Sequence, residues 1–268
     1  MSVLIVRLAG PLQSWATNSR HYRRSTLPYP TKSGILGLLA AACGIPRDGS
    51  GSRTTPVTPT DLAHLLLAVR IDQPGELLVD YQTVSGASHA PTDPAHQRLP
   101  TADDGRLRAK DSTKITRRHY QADAAYTGYL DGDPTLLTHL AHALLHPRYA
   151  PFLGRRSCPP SRPLLIGVDH QTDLHHALHH TPWQAAEHEI ARHRARRTPT
   201  VCLATVTDDP AGTDTLPDQP DPTAPPFRPR YTERTVTHSH ITLPIPPAPN
   251  SRPDPAGPAA HDPFELFA

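Results

Sequence analysis

A cluster of basic, polar and aromatic residues lies near the N-terminus, between positions 13 and 33. Its members are Gln13, Ser14, Trp15, Arg20, Arg23, Arg24, Lys32 and Ser33. Cations contact phosphates and aromatic rings stack on unpaired bases, so this combination is typical of RNA binding. Lys32 and Ser33 also stand at the start of a predicted helix, where free backbone amides favour an anion. The alternative is a solvated basic loop beside a core tryptophan.

A second basic motif lies within "RYAPFLGRRSCPPSRPLL" at 148–165. Arg155 and Arg156 directly follow Gly154, and Tyr149 lies just upstream. A glycine beside two guanidinium groups predicts close approach of the backbone to a polyanion. The GxxxxGK spacing of a P-loop is absent, and a structural turn is the alternative interpretation.

A third motif, "GRLRAKDSTKITRRH" at 105–119, carries cations on a predicted protruding hairpin. They are Arg106, Arg108, Lys110, Lys114, Arg117 and Arg118. A basic hairpin with few apolar residues cannot be held by a core, so we predict that it folds against a partner. An inert solvated loop is the alternative.

Histidines are concentrated in "DHQTDLHHALHH" at 169–180. His176 and His180 have the i, i+4 spacing of metal ligands, with Asp173 nearby. However, the chain has no HExxH motif and no second ligand cluster in this region, which favours compositional drift on an exposed face. The sequence therefore predicts no metal and no cofactor.

Composition excludes several classes of protein. The net charge is only +2, so any nucleic-acid site must be local. The three cysteines are widely separated, which argues against a disulfide framework or a zinc knuckle. The longest apolar run, at 35–45, is too short to span a bilayer, and the N-terminus lacks a signal-peptide pattern, so we expect a cytoplasmic protein without membrane contact.

The elements that must position these motifs follow a β-α-β, β-α-β order. A first strand at 3–8 ends at Gly10-Pro11, and a helix within 29–48 begins at a Thr/Ser cap and ends at Gly44. Strand patterns at 62–72, 75–84 and 113–132 precede an amphipathic helix at 133–147. This order predicts an α+β, ferredoxin-like fold with a long hairpin inserted between its strands.

The second half of the chain has a less regular pattern. Strands are predicted at 161–169, 200–206 and 232–245, with a short histidine-rich helix between the first two. The last of these has the alternation of an edge strand within a proline-rich, otherwise irregular region. We predict a ferredoxin-like domain at 1–168, a smaller β-rich extension at 169–245, and a disordered proline-rich tail at 246–268.

Four sequence blocks, taken in order, carry a family resemblance. They are "LAGPLQSWA", "YPTKSGILGLLAAACGIPRD", "DYQTV" and "PRYAPFLGRRSCPPSRPLLIG", which together span residues 1 to about 168. The chain resembles the CasD family, the Cas-five subunit of the type I-E CRISPR surveillance complex Cascade, within the RAMP superfamily. The polar insertion at 86–112 and the proline-rich sequence after 208 depart from the family pattern.

The resemblance implies a fold, a function and partners. The fold would be a ferredoxin-like (RRM-like) RAMP domain with an inserted β-hairpin thumb at about 85–118. The function would be to grip the 5′ handle of the CRISPR RNA and to cap the backbone filament without catalysis. Its partners would be that RNA, the backbone, large and small Cascade subunits and, indirectly, target DNA. In this interpretation the first strand delivers Gln13 to Trp15 to the surface where the handle lies.

An alternative function remains open from a related CRISPR subtype, whose similar subunits cleave precursor CRISPR RNA without a metal. That endoribonuclease reaction needs a base that activates a 2′-hydroxyl and an acid for the leaving oxygen. Lys114, His119 and Tyr120 are the residues that could supply these groups. The family blocks favour the type I-E subunit, in which a separate protein processes the RNA.

Overall fold

The computed structural model describes residues 2–16, 23–46, 56–85, 113–224 and 229–247. Residues 248–268 of the tail predicted at 246–268, and the whole polar insertion at 86–112, therefore lie outside the described residues. No helix in the described ranges is both long enough and apolar enough to cross a membrane.

Nine strands and five helices make up the described structure. The strands are β1 (Val3–Gln13), β2 (Arg23–Arg24), β3 (Leu66–Gln73), β4 (Glu76–Ser85), β5 (Thr113–Asp131), β6 (Leu165–Asp169), β7 (Thr200–Asp208), β8 (Asp214–Pro220) and β9 (Tyr231–Pro244). The helices are α1 (Lys32–Cys43), α2 (Pro59–Ala63), α3 (Pro134–Leu145), α4 (Leu174–His180) and α5 (Glu187–Ala195). The architecture is a mixed α/β fold dominated by an antiparallel sheet, as the α+β prediction requires.

The sheet runs in the order β6-β1-β5-β3-β7-β9-β8. Two cores lie on it. The larger core includes α1, α3 and alternate residues of β1, such as Leu4 and Leu8, while the smaller one joins α4 and α5 to Tyr129 and Trp183. Predicted and observed elements agree most closely at α1, because Thr31 caps its first turn and Gly44, at φ 76°, ends it.

The two halves of strand β5 pair with different strands. Its second half pairs with β1 and β3 in the main sheet, and its first half pairs with β4 and with β2. Asp123 marks the transition, with a φ of 54°, and its carbonyl accepts a hydrogen bond from Gln73 at 2.6 Å. The β4–β5 ladder thus extends away from the main sheet and carries the side chains of the candidate site.

Three sequence predictions about strands need correction. β1 continues past Gly10-Pro11 to Gln13, because its register with β5 is unbroken from Gly10 to Leu12. β9 is not an edge strand, since it pairs with β7 on one side and with β8 on the other. β8 itself lies in the region predicted to be irregular. It ends the sheet, where proline residues are tolerated because an edge strand needs fewer backbone donors.

Candidate nucleic-acid interface

Two pairs of arginines face each other across neighbouring strands. The parallel pairing of β2 with β5 places Arg23 opposite Arg117 and Arg24 opposite Arg118. Arg23, Arg24 and Arg117 are exposed, and Arg118 is half-buried. Like charges directly opposite one another destabilise a strand pair unless an anion lies between them. Adjacent strand residues point to opposite sides, so Arg23 and Arg117 share one side and Arg24 and Arg118 share the other. We call these four residues the arginine ladder.

Carboxylates do not neutralise the arginine ladder within the described part of the chain. Salt bridges there involve other cations, and none includes a member of the ladder. Asp80 lies opposite Arg118 on β4, but its carboxylate accepts a hydrogen bond from Gln82. The ladder is therefore a local source of positive charge on a chain whose net charge is only +2.

An apolar surface adjoins the ladder on β4 and β5. Strand alternation places Leu77, Val79 and Tyr81 on one side of β4, and their side chains are 62%, 51% and 55% exposed. The guanidinium of Arg117 lies 5.9 Å from the centroid of the Tyr81 ring. A shallow depression of about 450 Å³ is lined by Arg23, Val79, Arg117 and His119. Cations beside exposed rings and aliphatic groups suit a phosphate backbone with unstacked bases.

Arg155 joins a distant loop to this surface. Its guanidinium lies 4.8 Å from the centroid of the Tyr120 ring and donates a 3.0 Å hydrogen bond to the carbonyl of Arg24. The Nη1 atom of Arg155 is buried without a hydrogen-bond partner among the described residues. His119 Nδ1 lies 3.2 Å from the same Arg24 carbonyl. Arg155 and His119 thus hold β2 in place, while Arg156 beside them is exposed.

Gly154 has a structural role that differs from the predicted one. Its φ is 81°, and a Cβ built on it would lie 1.8 Å from the Ser14 carbonyl oxygen. The glycine is therefore required for close packing of its loop against the chain itself. The structural turn, the alternative interpretation of this motif, is therefore present; Gly154 is exposed, and approach of a polyanion to its backbone stays a prediction.

The predicted surface loop at Gln13 to Trp15 is buried. Gln13, Ser14 and Trp15 are 0%, 3% and 1% exposed. Gln13 Nε2 donates to the carbonyls of Leu8 and Ala124, and Gln13 Oε1 accepts from the Trp15 indole. The prediction that the first strand delivers these side chains to the surface is wrong, because β1 continues into the core and their polar atoms bond internally.

Ser14 and Trp15 instead support the surface from behind. Ser14 Oγ donates to the carbonyl of His119 at 3.1 Å, so it braces β5 directly beneath the ladder. The Trp15 ring fits against Gly34 and near Gly154, where an added Cβ would lie 2.8 Å and 3.5 Å from its carbons. Their role is to position the basic residues rather than to contact a ligand through their own side chains.

The predicted anion site at the start of α1 is occupied by the protein's own carboxylates. The Lys32 amide donates to Asp218 Oδ2 at 2.7 Å, and its ammonium lies 2.8 Å from Asp208 Oδ2. Arg234 bonds to both aspartates. Burial alone would lower the pKa of Arg234, but its bonds to Asp218 and Asp208 raise that pKa overall.

This buried network contains two cations and two anions, all no more than 7% exposed at their side chains. The RNA-binding assignment of Lys32 is therefore wrong in this conformation, since its charge is internal and already paired. Ser33 is half-buried, with its hydroxyl 3.5 Å from that of Thr31. The network fastens β7, β8 and β9 to the first half of the chain.

The remaining predicted residues are dispersed or outside the described structure. Tyr149 is 51% exposed at the C-terminal end of α1, where its amide donates to the Ala41 carbonyl. Lys114 lies on β5, with its side chain outside the description. Four of the predicted cations fall on residues that the structure does not describe: Arg20, Arg106, Arg108 and Lys110.

The exposed apolar side of β4 is absent from the residues predicted to bind RNA. The segment "ELLVDYQTV" alternates in a way that leaves Leu77, Val79 and Tyr81 on one side. The sequence does contain a pattern that indicates this surface. It is a strand with apolar residues on both sides, in a segment predicted to protrude from the core. Such a strand must expose one of its sides.

Comparison with known proteins gives the family. A family model described as CRISPR-associated protein (Cas_Cas5) matches residues 3–237. The chain belongs to this family. CRISPR system Cascade subunit CasD of Escherichia coli (strain K12) is 38% identical over 180 residues, which cover 66% of this chain and 75% of that relative. The family resemblance inferred from the four sequence blocks is thus confirmed.

Two solved structures extend the Cas5 similarity over most of the chain. One, described as a CRISPR RNA-guided surveillance complex, has a TM-score of 0.68 and 30% identity, and covers 90% of this chain and 91% of the other. The second, described as a crystal structure of a Cas protein, has a TM-score of 0.62 and 32% identity, and covers 91% and 95%. The Cas5 fold therefore includes the second half of the chain, beyond the residues that carried the resemblance.

Proposed function

We propose that this Cas5-family chain is a non-catalytic RNA-binding subunit of a type I-E Cascade complex. It grips the 5′ handle of the CRISPR RNA and caps the backbone filament, next to the large and small subunits, in the cytoplasm. The similarity to a Cascade subunit and to a surveillance-complex chain supports membership in such an assembly. The arginine ladder is the observation that carries the RNA-binding assignment.

The topology supports the finer fold assignment. Strands β6-β1-β5-β3 follow one another in the sheet with antiparallel pairing, and α1 and α3 lie on the connections from β1 to β3 and from β5 to β6. This is the order of a ferredoxin-like, RRM-like domain of the RAMP type. The β4–β5 ladder then corresponds to the thumb hairpin, and the arginine ladder lies along its side.

The arginines and the apolar surface of β4 would make different contacts with RNA. Arg23 and Arg117 would contact adjacent phosphates, which relieves their mutual repulsion. Tyr81 offers an exposed ring on which a base stacks, 5.9 Å from the Arg117 guanidinium, and Val79 offers an exposed apolar contact. Such contacts position a strand without cutting it.

Of the three candidate catalytic groups, the side chain of Lys114 lies outside the described structure, and the placement of the other two, His119 and Tyr120, favours the non-catalytic assignment over an endoribonuclease. Adjacent strand residues point to opposite sides, so His119 faces the depression while Tyr120 is buried beneath Arg155. A base and an acid that act on one phosphodiester must reach it together. These two side chains do not share a surface.

RNA binding is tested by a filter-binding titration with an RNA that contains the repeat-derived 5′ handle. The double variant Arg23→Ala/Arg117→Ala should lower affinity roughly tenfold, equivalent to about 1.4 kcal/mol. It should also reduce the salt slope by about 1.4, because each single-strand phosphate contact contributes roughly 0.7. The control is Arg196→Ala/Arg197→Ala at the exposed end of α5, which removes the same charge.

The control variant distinguishes the loss of a specific binding site from a general loss of positive charge. Equal losses in both double variants would overturn the ladder as the site, and so would unchanged affinity in the first. The same RNA should remain intact when incubated with the protein in chelator. A product that ends at the handle boundary, and that disappears in His119→Ala, would overturn the non-catalytic assignment in favour of the endoribonuclease.

A further inference from the structure

Residues 262–267 ("DPFELF") form a short segment in which acidic and apolar residues are interleaved. It contains Phe264, Leu266 and Phe267, whereas residues 248–263 have no large apolar side chain. A proline-rich linker stays extended without such residues, so their concentration here indicates a binding segment. We call residues 262–267 the tail motif.

The charge around the tail motif is opposite to that of the arginine ladder. Residues 253–268 include Asp254, Asp262 and Glu265 but no lysine or arginine. Within the described ranges no carboxylate forms a salt bridge with Arg23 or Arg117. Both arginines adjoin the exposed apolar side chains of β4. Carboxylates pair with guanidinium groups and phenyl rings pack on apolar side chains, so the tail motif complements this surface in both respects.

The chain leaves the sheet beside the base of the β4–β5 ladder. Thr200, at the start of β7, pairs with Pro244, at the end of β9. Because β7 runs antiparallel to β3, with Thr205 opposite Arg70, this end of the sheet is the one at which β3 leads into β4. Residues that follow 247 therefore start at the end of the sheet from which the β4–β5 ladder extends.

Helix α5 links residue 247 to the β4–β5 ladder. The Arg194 guanidinium donates to the Pro247 carbonyl at 2.7 Å, and His188 Nε2 lies 3.1 Å from Asp123 Oδ2. These two helix residues are about 9 Å apart along the axis, and the arginine ladder lies about 20 Å further along β5. Residues 248–264 can span up to about 50 Å, at roughly 3.1 Å per residue for proline-rich sequence. The tail motif is therefore able to reach the arginine ladder.

The tail begins on the side of the sheet that the apolar surface of β4 also faces. α5 contributes to the smaller core with Tyr129, whereas Tyr120 packs in the larger core with α1 and α3. Strand alternation directs Arg117 and His119 to the side of β5 opposite Tyr120, which is the side of α5. The tail motif can thus approach Arg117 without passing around the strands.

We propose that the tail motif binds intramolecularly to Arg23, Arg117 and the apolar surface of β4 in the RNA-free chain, and that RNA displaces it. Its carboxylates relieve the repulsion between the two arginines, and its rings cover apolar side chains that are otherwise exposed to water. Displacement by RNA rests on the RNA-binding function proposed above, whereas docking of the tail motif does not. The family model matches residues 3–237, so the tail motif lies outside the matched part of the chain.

A nitroxide spin label tests docking in the full chain without RNA. The label is attached to Ala268→Cys in a Cys202→Ser background, because the other two cysteines are buried. It should broaden the methyl signals of Leu77 and Val79 but not those of Leu145, which is exposed at the end of α3. No broadening, or equal broadening at all three residues, would overturn the proposal. So would equally strong broadening when the label and the observed methyl groups are on different molecules, because the occupant would then be a second copy.

Two triple-serine variants distinguish the tail motif from the linker that precedes it. The motif variant is Phe264→Ser/Leu266→Ser/Phe267→Ser. The control variant is Ala256→Ser/Ala259→Ser/Ala260→Ser. Broadening should disappear in the motif variant and persist in the control variant. Persistence in both variants would overturn the assignment of the contact to the tail motif.

Filter binding with the handle RNA measures competition by the tail motif. The motif variant should bind about two- to tenfold more tightly than the parent, because a weak motif at a roughly millimolar effective concentration leaves only a fraction of the surfaces free. The control variant should match the parent. Equal affinity of the motif variant and the parent would overturn displacement by RNA. If none of the chains binds the RNA, the proposed function fails, and the spin label still decides whether the tail motif docks.

Discussion

Lys32 and Arg23 belong to the same basic segment and lie nine residues apart, yet the fold gives them opposite roles. Lys32 is buried between Asp208 and Asp218, and its charge is neutralised inside the protein. Arg23 is exposed opposite another arginine, Arg117. The difference comes from two strands whose aspartates lie 176 and 186 residues after Lys32 in the chain. A cation is available to a ligand only when the tertiary structure places no carboxylate beside it.

The buried network of Lys32, Arg234, Asp208 and Asp218 should contribute more to the free energy of unfolding than the other contacts compared below. Arg234→Ala would leave Asp208 and Asp218 buried with only Lys32 as a cation, and such a change costs about 3–5 kcal/mol. The matched control is Arg230→Ala, whose guanidinium is 65% exposed beside Asp221. That surface pair contributes about 0–1 kcal/mol. Urea denaturation measures both, and equal losses would show that the network is not a stabilising unit.

Arg155 and Arg156 are adjacent in the chain and allow the same comparison between a cation held by internal contacts and an exposed cation. Arg155 packs on Tyr120 and bonds to the Arg24 carbonyl, whereas Arg156 is exposed. Arg155→Ala should lower the free energy of unfolding by about 1–2 kcal/mol, because it loses a cation–π contact and a charged hydrogen bond. Arg156→Ala should leave stability within about 0.5 kcal/mol.

RNA affinity should respond differently from stability in these two variants. Arg155→Ala removes both a cation and the support for β2, so affinity should fall more than in Arg156→Ala, where only charge is lost. Denaturation and filter binding on the same preparations give the two values. Identical behaviour of the variants in both measurements would contradict the positioning role of Arg155.

Local signals in the sequence predicted the elements well. Thr31 and Gly44 bound α1, Asp133 and Pro134 begin α3, and these residues act on the backbone within one turn. The antiparallel pairing of β4 with β5 agrees with the predicted long hairpin. The family also followed from short blocks, because each block contains residues that the fold fixes locally.

Long-range contacts account for what the sequence did not predict. The burial of Gln13 depends on Ala124, and the pairing of Lys32 depends on Asp208 and Asp218, which no local pattern connects to it. The β8 strand was missed because its prolines oppose strand formation, and only its edge position permits them. Residue type identified possible binding groups, but tertiary contacts determined which of them are available.

The starts of α1 and α2 extend the comparison, because both helices have a threonine cap, Thr31 or Thr58, and each cap is joined by a carboxylate of different origin. A first-turn amide of α1 bonds to Asp218, from a distant strand, whereas α2 is capped by its own Thr58 and Asp61. Asp61 accepts from the Thr58 amide at 2.8 Å, and the Thr58 hydroxyl accepts from the Asp61 amide at 3.2 Å. Loss of such a local cap costs typically about 1 kcal/mol, less than breaking the buried network.

Asp61→Asn should therefore have a smaller effect than Arg234→Ala, and the effect should depend on pH. Hydrogen bonds from the Thr58 hydroxyl and amide lower the pKa of Asp61 in the folded chain. Its stabilising contribution is then complete above its unfolded pKa, about 3.9, and is lost as pH falls through the folded pKa. The difference in unfolding free energy between parent and variant should be larger at pH 7 than at pH 3. A difference that stays constant across this range would show that the cap does not depend on the carboxylate charge.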